Sequence, residues 1–367
     1  MKVGIPKEIK THEYRVGLTP YSVAQLCRDG HEVVVETGAG ARIDFADAQY
    51  AEAGAQIVSD AACVFEAADL IVKVKEPQLA ECAMLREHHT LFTYLHLAAD
   101  RPQAEALVAS GANCIAYETV TEPGGGLPLL RPMSQVAGRM SVQVGAHLLE
   151  IAQGGRGVLM GGVPGVPPAD VVILGGGVAG QCAAEMAIGM RANVTIFDIA
   201  ATRLAELDQL FSGRAATRIA TREAILEAIA QADLVVGAVL VTAAKAPHLI
   251  LRDDLAILRP GAVLVDIAID QGGCFETSRA TSHDEPTFVV DGILHYCVAN
   301  MPGAVARTST LALNNVTLPF VRTLAGKGVT AALDDDPHLR AGLNIANHRI
   351  VNPIVASIFD DLPRLAA

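Results

Sequence analysis

Six residues, GGGVAG at 175–180, have the spacing GxGxxG, and four polar residues, Arg15, Lys75, His96 and Asp270, stand at or just beyond the ends of short apolar runs. The glycine pattern suits the pyrophosphate of a dinucleotide. Gly175 allows the tight turn, Gly177 lets the backbone approach the phosphates, and Gly180 lets the following helix pack against the strand. Its context agrees. The run DVVIL precedes it, the helical run QCAAEMAIGM follows, and the next strand-like run, ANVTIFD, ends in Asp198. An acid about 20 residues beyond the motif accepts from ribose hydroxyls and repels a 2′-phosphate, so NAD is expected rather than NADP. Arg203 is the complication, because an arginine there could instead receive that phosphate.

A bound nicotinamide needs a substrate held against it and a group that moves a proton as the hydride moves. Open α/β folds place ligands at the carboxyl ends of strands, where all four polar residues fall. Each has a plainer reading when taken singly. Arg15 and Lys75 could be solvated charges, His96 in LFTYLHL a core histidine with two hydrogen bonds, and Asp270 a turn residue before Gln271-Gly272-Gly273. Lys73 shares a strand face with Lys75, but Lys75 lies nearer the end and precedes Glu76-Pro77. His88 and His89 are expected to be solvated. His12, beside Glu13, could shape a pocket or lie on the surface. No His, Cys, Asp or Glu cluster has metal-ligand spacing, so no metal is expected.

The elements that position these residues follow from periodicity. KVGIP (2–6), EVVVETG (32–38), DLIVKV (69–74), LFTYL (91–95) and NCIAYET (113–119) read as strands, alternating with helical runs such as 20–30 and 103–111. After the Gly/Pro break at 121–132, a helical run at 134–153 suits a strut between domains, and 154–168 reads as loop. A second series begins at DVVIL and continues with ANVTIFD (192–198), DLVVGAVL (233–240), AVLVDIAID (262–270) and TFVVDGI (287–293). Beyond Asn300-Met301-Pro302 the chain is expected to be helical to its end. The expected fold is therefore α/β, with two Rossmann-like domains of mostly parallel sheet. Long helices would join them around an active-site cleft. Residues 1–127 with 305–367 would form the substrate domain, and 128–304 the NAD-binding domain.

The bulk numbers narrow the function further. The chain has 367 residues, 51% hydrophobic and 19% charged, which suits globular domains rather than disorder. A formal charge of −12 argues against nucleic acid or an anionic membrane as partner. Seven cysteines without a CxxC pair suit a reducing cytoplasm. The charged N-terminal stretch lacks the apolar core of a signal peptide, and no run nears the roughly 18 apolar residues of a membrane span.

The segments GIPKEIKTHEYRVGLTP, VKVKEP, LHLAA, PMSQVAGR, QGGRGVLMGGVPGV, GAVL, LVDIAIDQGGCFE and YCVANMPGAV resemble the bacterial NAD-dependent alanine dehydrogenases, up to about residue 319. The resemblance implies reversible conversion of L-alanine, NAD⁺ and water to pyruvate, ammonium and NADH. It also implies that Arg15 and Lys75 hold the substrate and that His96 and Asp270 are catalytic. A guanidinium suits a two-pronged grip on a carboxylate, and an imidazole suits proton transfer near neutral pH. NAD contacts are implied at Ser134, Val178, Ala179, Asp198, Arg203, Val239, Leu240, Ile267, Ala268, Ile269, Asp270, Arg279, Val298, Ala299, Asn300 and Met301, and a homohexamer is implied as the assembly. Where some members have a metal site, this chain has Thr323 and Lys327, and lysine does not ligate Mg²⁺. The tail from 332 matches only loosely. Rival readings are the NAD-binding part of a proton-translocating transhydrogenase, a related dehydrogenase or reductase acting on another small 2-amino or 2-oxo acid such as glyoxylate, and a non-enzymatic NAD sensor.

Overall fold

The structure is a computed structural model that describes residues 1–239 and 247–364. The chain forms two compact α/β units, Met1–Met133 with Val305–Ala367, and Ser134–Ala304. The chain leaves the first unit along the helix Arg131–Leu148 and re-enters it at the helix Ala306–Lys327.

In the first unit, β1 (Lys2–Ile5), β2 (Glu32–Glu36), β3 (Gln56–Val58), β4 (Leu70–Val72), β5 (Thr90–Thr93) and β6 (Asn113–Ala116) run parallel in the order β6-β5-β4-β1-β2-β3. β4 (LIV) and β5 (TLFT) are buried at every position, so neither shows an alternation of buried and exposed residues. Strand order reverses between β1 and β4. At such a reversal the connections leave in opposite directions and open a crevice at the carboxyl edge. The loops carrying Arg15 and Lys75 leave on either side of it.

The second unit repeats the plan. β7 (Asp170–Leu174), β8 (Asn193–Asp198), β9 (Ala215–Ile219), β10 (Leu234–Gly237), β11 (Val263–Asp266), β12 (Thr287–Val290) and β13 (Ile293–Tyr296) form one sheet in the order β12-β13-β11-β10-β7-β8-β9. All pairings are parallel except β12 with β13. Here the reversal lies between β7 and β10.

Three expectations are corrected. TFVVDGI is two strands, because Asp291 and Gly292 take φ of 51° and 80° and make a two-residue hairpin turn. The C-terminal segment is not helical to its end. After the helices of 306–340, β14 (Leu343–Ala346) adds antiparallel to β6, and β15 (Arg349–Ile350) adds antiparallel to β14, which extends the first sheet. His89 is buried rather than solvated. Its Nδ1 accepts from the Arg86 amide at 2.8 Å and its Nε2 faces the Phe65 carbonyl at 2.8 Å, while His88 is exposed. Two strands, β3 and β9, carry no strand signal because they lie at sheet edges, mostly half-buried or exposed, and so have no run of core residues. All seven cysteines are free thiols. Among the described residues no helix is long and apolar enough to cross a membrane.

Candidate active site

Three of the four polar residues singled out lie at the carboxyl edge of the first sheet. Arg15, in the loop after β1, is almost wholly buried. Its Nε donates to Glu13 Oε1 at 2.7 Å, Nη2 to Glu13 Oε2 at 2.5 Å, and Nη1 points to Met133 Sδ at 3.0 Å. Burial opposes its charge, but Glu13 outweighs burial and holds its pKa above the ordinary arginine value.

Lys75, just past β4, is also buried, with Nζ 3.6 Å from Glu76 Oε2. Glu76 joins the group together. Burial pushes its carboxyl up, but Lys75, Lys10 and His96 together hold it below the ordinary range. Its Oε2 has no hydrogen-bond partner among the described residues.

His96, just past β5, resolves the oddity of an imidazole among leucines. Leu95 and Leu97 are buried in the core, while His96 turns out of it and is half-buried. The turn is made by a left-handed backbone, φ 49° and ψ 36°. Its ring lies parallel to that of Tyr94, 9° apart with centroids 5.7 Å apart, and the Tyr94 hydroxyl donates to the Leu129 carbonyl at 2.5 Å. Tyr94 also lies within the field of Arg15. An arginine, a lysine and a histidine from three neighbouring strands are thus linked through Glu76 and Tyr94.

Lys73, two residues before Lys75, does different work. Its Nζ is wholly enclosed by Glu8 at 3.0 Å and Glu81 at 2.7 Å. Burial pushes the Glu8 carboxyl up to about 7 against the pull of Lys73. This triad ties β4 to the loop after β1, since Glu8 also accepts from the Val74 amide at 2.7 Å. His12 is half-buried, with Nδ1 3.2 Å from the Tyr14 hydroxyl.

In the second unit, the residues expected at a dinucleotide lie mostly at the carboxyl ends of five adjacent strands. These are Gly175–Gly180 after β7, Asp198 at the end of β8, Val239 after β10, Ile267 to Asp270 after β11, and Val298 to Met301 after β13. Ser134 lies on the helix Arg131–Leu148, and Arg279 on a loop with its guanidinium 4.2 Å from the Phe288 ring centroid. Leu240 lies outside the described residues.

The glycine loop fits a pyrophosphate. Gly175 has φ of 105°, and a Cβ there would meet the Ala238 carbonyl oxygen at 2.7 Å. A Cβ on Gly180 would fall 1.8 Å from the Gly175 carbonyl oxygen, so the helix Val178–Gly189 can approach β7 only without a side chain there. At Gly177 nothing lies within 4 Å of an added Cβ, which leaves the space a phosphate would occupy next to the helix N-terminus. Asp198 accepts from the Gly176 amide at 2.8 Å and the Ala200 amide at 2.9 Å. Arg203 donates to the Gly176 carbonyl, Gln181 and Glu206, each within 2.7 Å, so its guanidinium is engaged by the loop, the helix that follows it and its own helix Ala201–Phe211.

Asp270 is exposed on the turn Ile269–Gln271. Buried Asp266 shapes that turn, accepting from the Ala268 amide at 3.0 Å, the Cys274 amide at 2.7 Å and the Ser278 hydroxyl at 2.6 Å. The supporting residues Glu13, Glu76, Tyr94 and Asp266 are not candidates by sequence, although all four lie within segments that carry one. Among the described residues no group of three or more His, Cys, Asp or Glu could hold a metal ion. Lys327 pairs with Asp335 at 2.7 Å.

Residues 4–137 match the family model "Alanine dehydrogenase/PNT, N-terminal domain", and residues 141–353 match "Alanine dehydrogenase/PNT, C-terminal domain". The chain belongs to the alanine dehydrogenase/PNT family. Within that family, the alanine dehydrogenase of Halomonas elongata is 57% identical over 359 residues, covering 98% of this chain and 97% of that protein. A solved L-alanine dehydrogenase is 52% identical with a TM-score of 0.96, covering 98% of this chain and 99% of that one. A transhydrogenase structure from Sinorhizobium meliloti is 25% identical with a TM-score of 0.81, covering 96% and 99%. The family's C-terminal model runs on to residue 353, although spatial contacts return the chain to the first unit from Val305 onward.

Proposed function

We propose that this protein catalyses the reversible oxidative deamination of L-alanine to pyruvate, with NAD⁺ as the hydride acceptor. One observation carries the reading. A buried guanidinium, a buried ammonium and an imidazole share one sheet edge, in a chain that matches an L-alanine dehydrogenase over 98% of its length. The lower identity to a transhydrogenase, 25% against 52%, makes that rival the weaker reading.

L-alanine, NAD⁺ and water give pyruvate, ammonium, NADH and a proton. Arg15 holds the substrate carboxylate, and Lys75 steadies the carboxylate or the oxygen that becomes the ketone. His96 takes a proton from the substrate ammonium so that the amine lone pair can assist hydride loss. It then shuttles protons as water adds to the iminium and ammonia leaves the carbinolamine. Asp270 orients the water or balances the iminium charge. The dinucleotide, when bound, accepts the hydride. The Gly175–Gly180 loop and the residues at the ends of β8, β10, β11 and β13 would hold it, with Asp198 at the ribose.

Following NADH tests the whole reading. Formation with L-alanine, and consumption with pyruvate only when ammonium is present, are expected. Activity with pyruvate alone would mean a simple reductase, and silence in both directions would end the proposal. Asp198 and the committed Arg203 support NAD over NADP. Asp198→Gly should lower kcat/KM with NAD⁺ and raise it with NADP⁺. A fall with both would assign Asp198 to loop structure alone.

The same reading places the protein in the cytoplasm as a homohexamer. Ile151, Leu159, Val163 and Val166 are each more than half exposed along 151–166, which supports self-association. Light scattering should give six times the chain mass, and Val163→Glu with Val166→Glu should lower it. A wild-type monomer would refute the assembly.

A further inference from the structure

We propose that Glu118 is a positioning residue for His96, and that it acts on the backbone of His96 rather than on its ring. The proposal rests on the reading of His96 as the proton-transfer group. Strand β5 ends at Thr93, and the chain then turns sharply enough to put His96 in a left-handed conformation, which side-chain-bearing residues seldom adopt. The turn takes the amides of Leu95 and His96 out of the sheet ladder.

One side chain receives both. Glu118 Oε1 accepts from the His96 amide at 2.6 Å and from the Leu95 amide at 3.1 Å, and Oε2 accepts from the Leu95 amide at 3.2 Å. Glu118 sits in the short turn Tyr117–Thr119 directly after β6, the parallel neighbour of β5. Donor loop and acceptor therefore leave the same edge of adjacent strands. Hydrogen bonds from amides to a carboxylate are charge-assisted and short, and two on consecutive residues fix the peptide plane that leads into His96. With that plane fixed, the Cβ direction is fixed. Tyr94, itself tied to the Leu129 carbonyl, then lies parallel to the ring. The imidazole is thus aimed by contacts that never touch its nitrogens.

Removing the carboxylate frees the two amides and lets His96 relax toward negative φ, which swings its Cβ. Displacements of about 1 Å at a reacting group lower rates by about 100-fold. Glu118→Ala should therefore lower kcat for L-alanine oxidation by about 10- to 100-fold with little change in KM. Amide hydrogen exchange at Leu95 and His96 should speed up in parallel. Glu118→Gln keeps Oε1 and should be intermediate in both readouts. In a His96→Ala background, adding Glu118→Ala should change turnover no further, because the two residues act as one unit.

The outcomes separate cleanly. If the wild type ignores L-alanine, or His96→Ala keeps full activity, the functional reading fails and this proposal falls with it. If both behave as expected, a fully active Glu118→Ala overturns the proposal alone, as does a loss that persists undiminished without His96. Should Glu118→Ala not fold, Glu118→Gln decides. An inactive Glu118→Gln with wild-type protection of the two amides would mean that the charge, not the tether, matters.

Discussion

His96→Ala is expected to abolish nearly all turnover, lowering kcat by about 10²- to 10⁴-fold in both directions. KM for L-alanine should stay within a few-fold, because the residues assigned to the substrate carboxylate, Arg15 and Lys75, are buried on other loops with their own partners. The physical reason is a shortage of substitutes. Glu76 is nearby, but it is held ionised beside two lysines, and Tyr94 is pushed well above the ordinary phenol range by burial. Neither can pick up and release a proton near neutrality. Stopped-flow NADH absorbance, with cofactor binding followed separately by fluorescence, would measure both quantities. Turnover within tenfold of wild type would remove His96 from the mechanism.

The largest expected effect on stability comes from Lys73→Met. Removing one member of a buried ionic cluster strands the others, a loss of about 3–5 kcal/mol. Here two carboxylates, Glu8 and Glu81, would be left in the core without their cation. The pH dependence follows from Glu8. Its folded pKa of about 7 lies above its ordinary 4.5, so the folded state binds the proton more tightly. That contribution is fully present below about 4.5 and is lost as pH rises through about 7. Without Lys73 the Glu8 carboxyl would hold its proton to still higher pH, so the variant's deficit should be smallest in acid and grow toward neutrality. Urea unfolding at several pH values between about 5 and 8 would measure this. A deficit that stays flat or shrinks with rising pH would contradict the assignment.

Lys73 and Lys75 also show what a sequence can and cannot give. Period two puts both on one strand face, and proximity to the strand end favours Lys75 as the one to meet a ligand. That Lys73 is enclosed by two carboxylates is invisible in sequence, because Glu8 comes from a segment 65 residues away and Glu81, though only eight residues on, is brought back by the turn after β4. The parallel cores and the glycine loop were legible because apolar runs and GxGxxG are local signals. The hairpin of β14 and β15 was not. Its two-residue turn is Asn347-His348, with φ of 50° and 60°, where glycine is the usual second residue. His348 is held there by the Val108 carbonyl and Glu87, both far away in the chain. Asp291-Gly292 was the opposite case, a strong local turn signal inside a run of residues that looked continuous. His89 was misread because its neighbours are polar, while the groups that bury and satisfy it come from Phe65 and the Arg86 backbone. At the site, the candidate side chains were legible by type and strand-end position. Their supports, Glu13, Glu76, Tyr94 and Glu118, were not, because a side chain that braces a neighbouring loop has no distinctive spacing.

The nesting of the second unit within the first has a consequence for the order in which the protein matures on the ribosome. Residues 134–304 are synthesised as one uninterrupted block and can fold as soon as they emerge. The unit that begins the chain must wait. Its helix Ala306–Lys327 supplies Asn314, which binds the Thr19 amide at 2.8 Å, the Gly17 carbonyl at 3.0 Å and the Ser22 hydroxyl at 2.8 Å, and β14 closes the edge of β6. Until those segments are translated, β6 is an exposed edge able to pair with other nascent chains. Premature stop codons after 304 should therefore yield a folded second unit attached to an aggregation-prone first one.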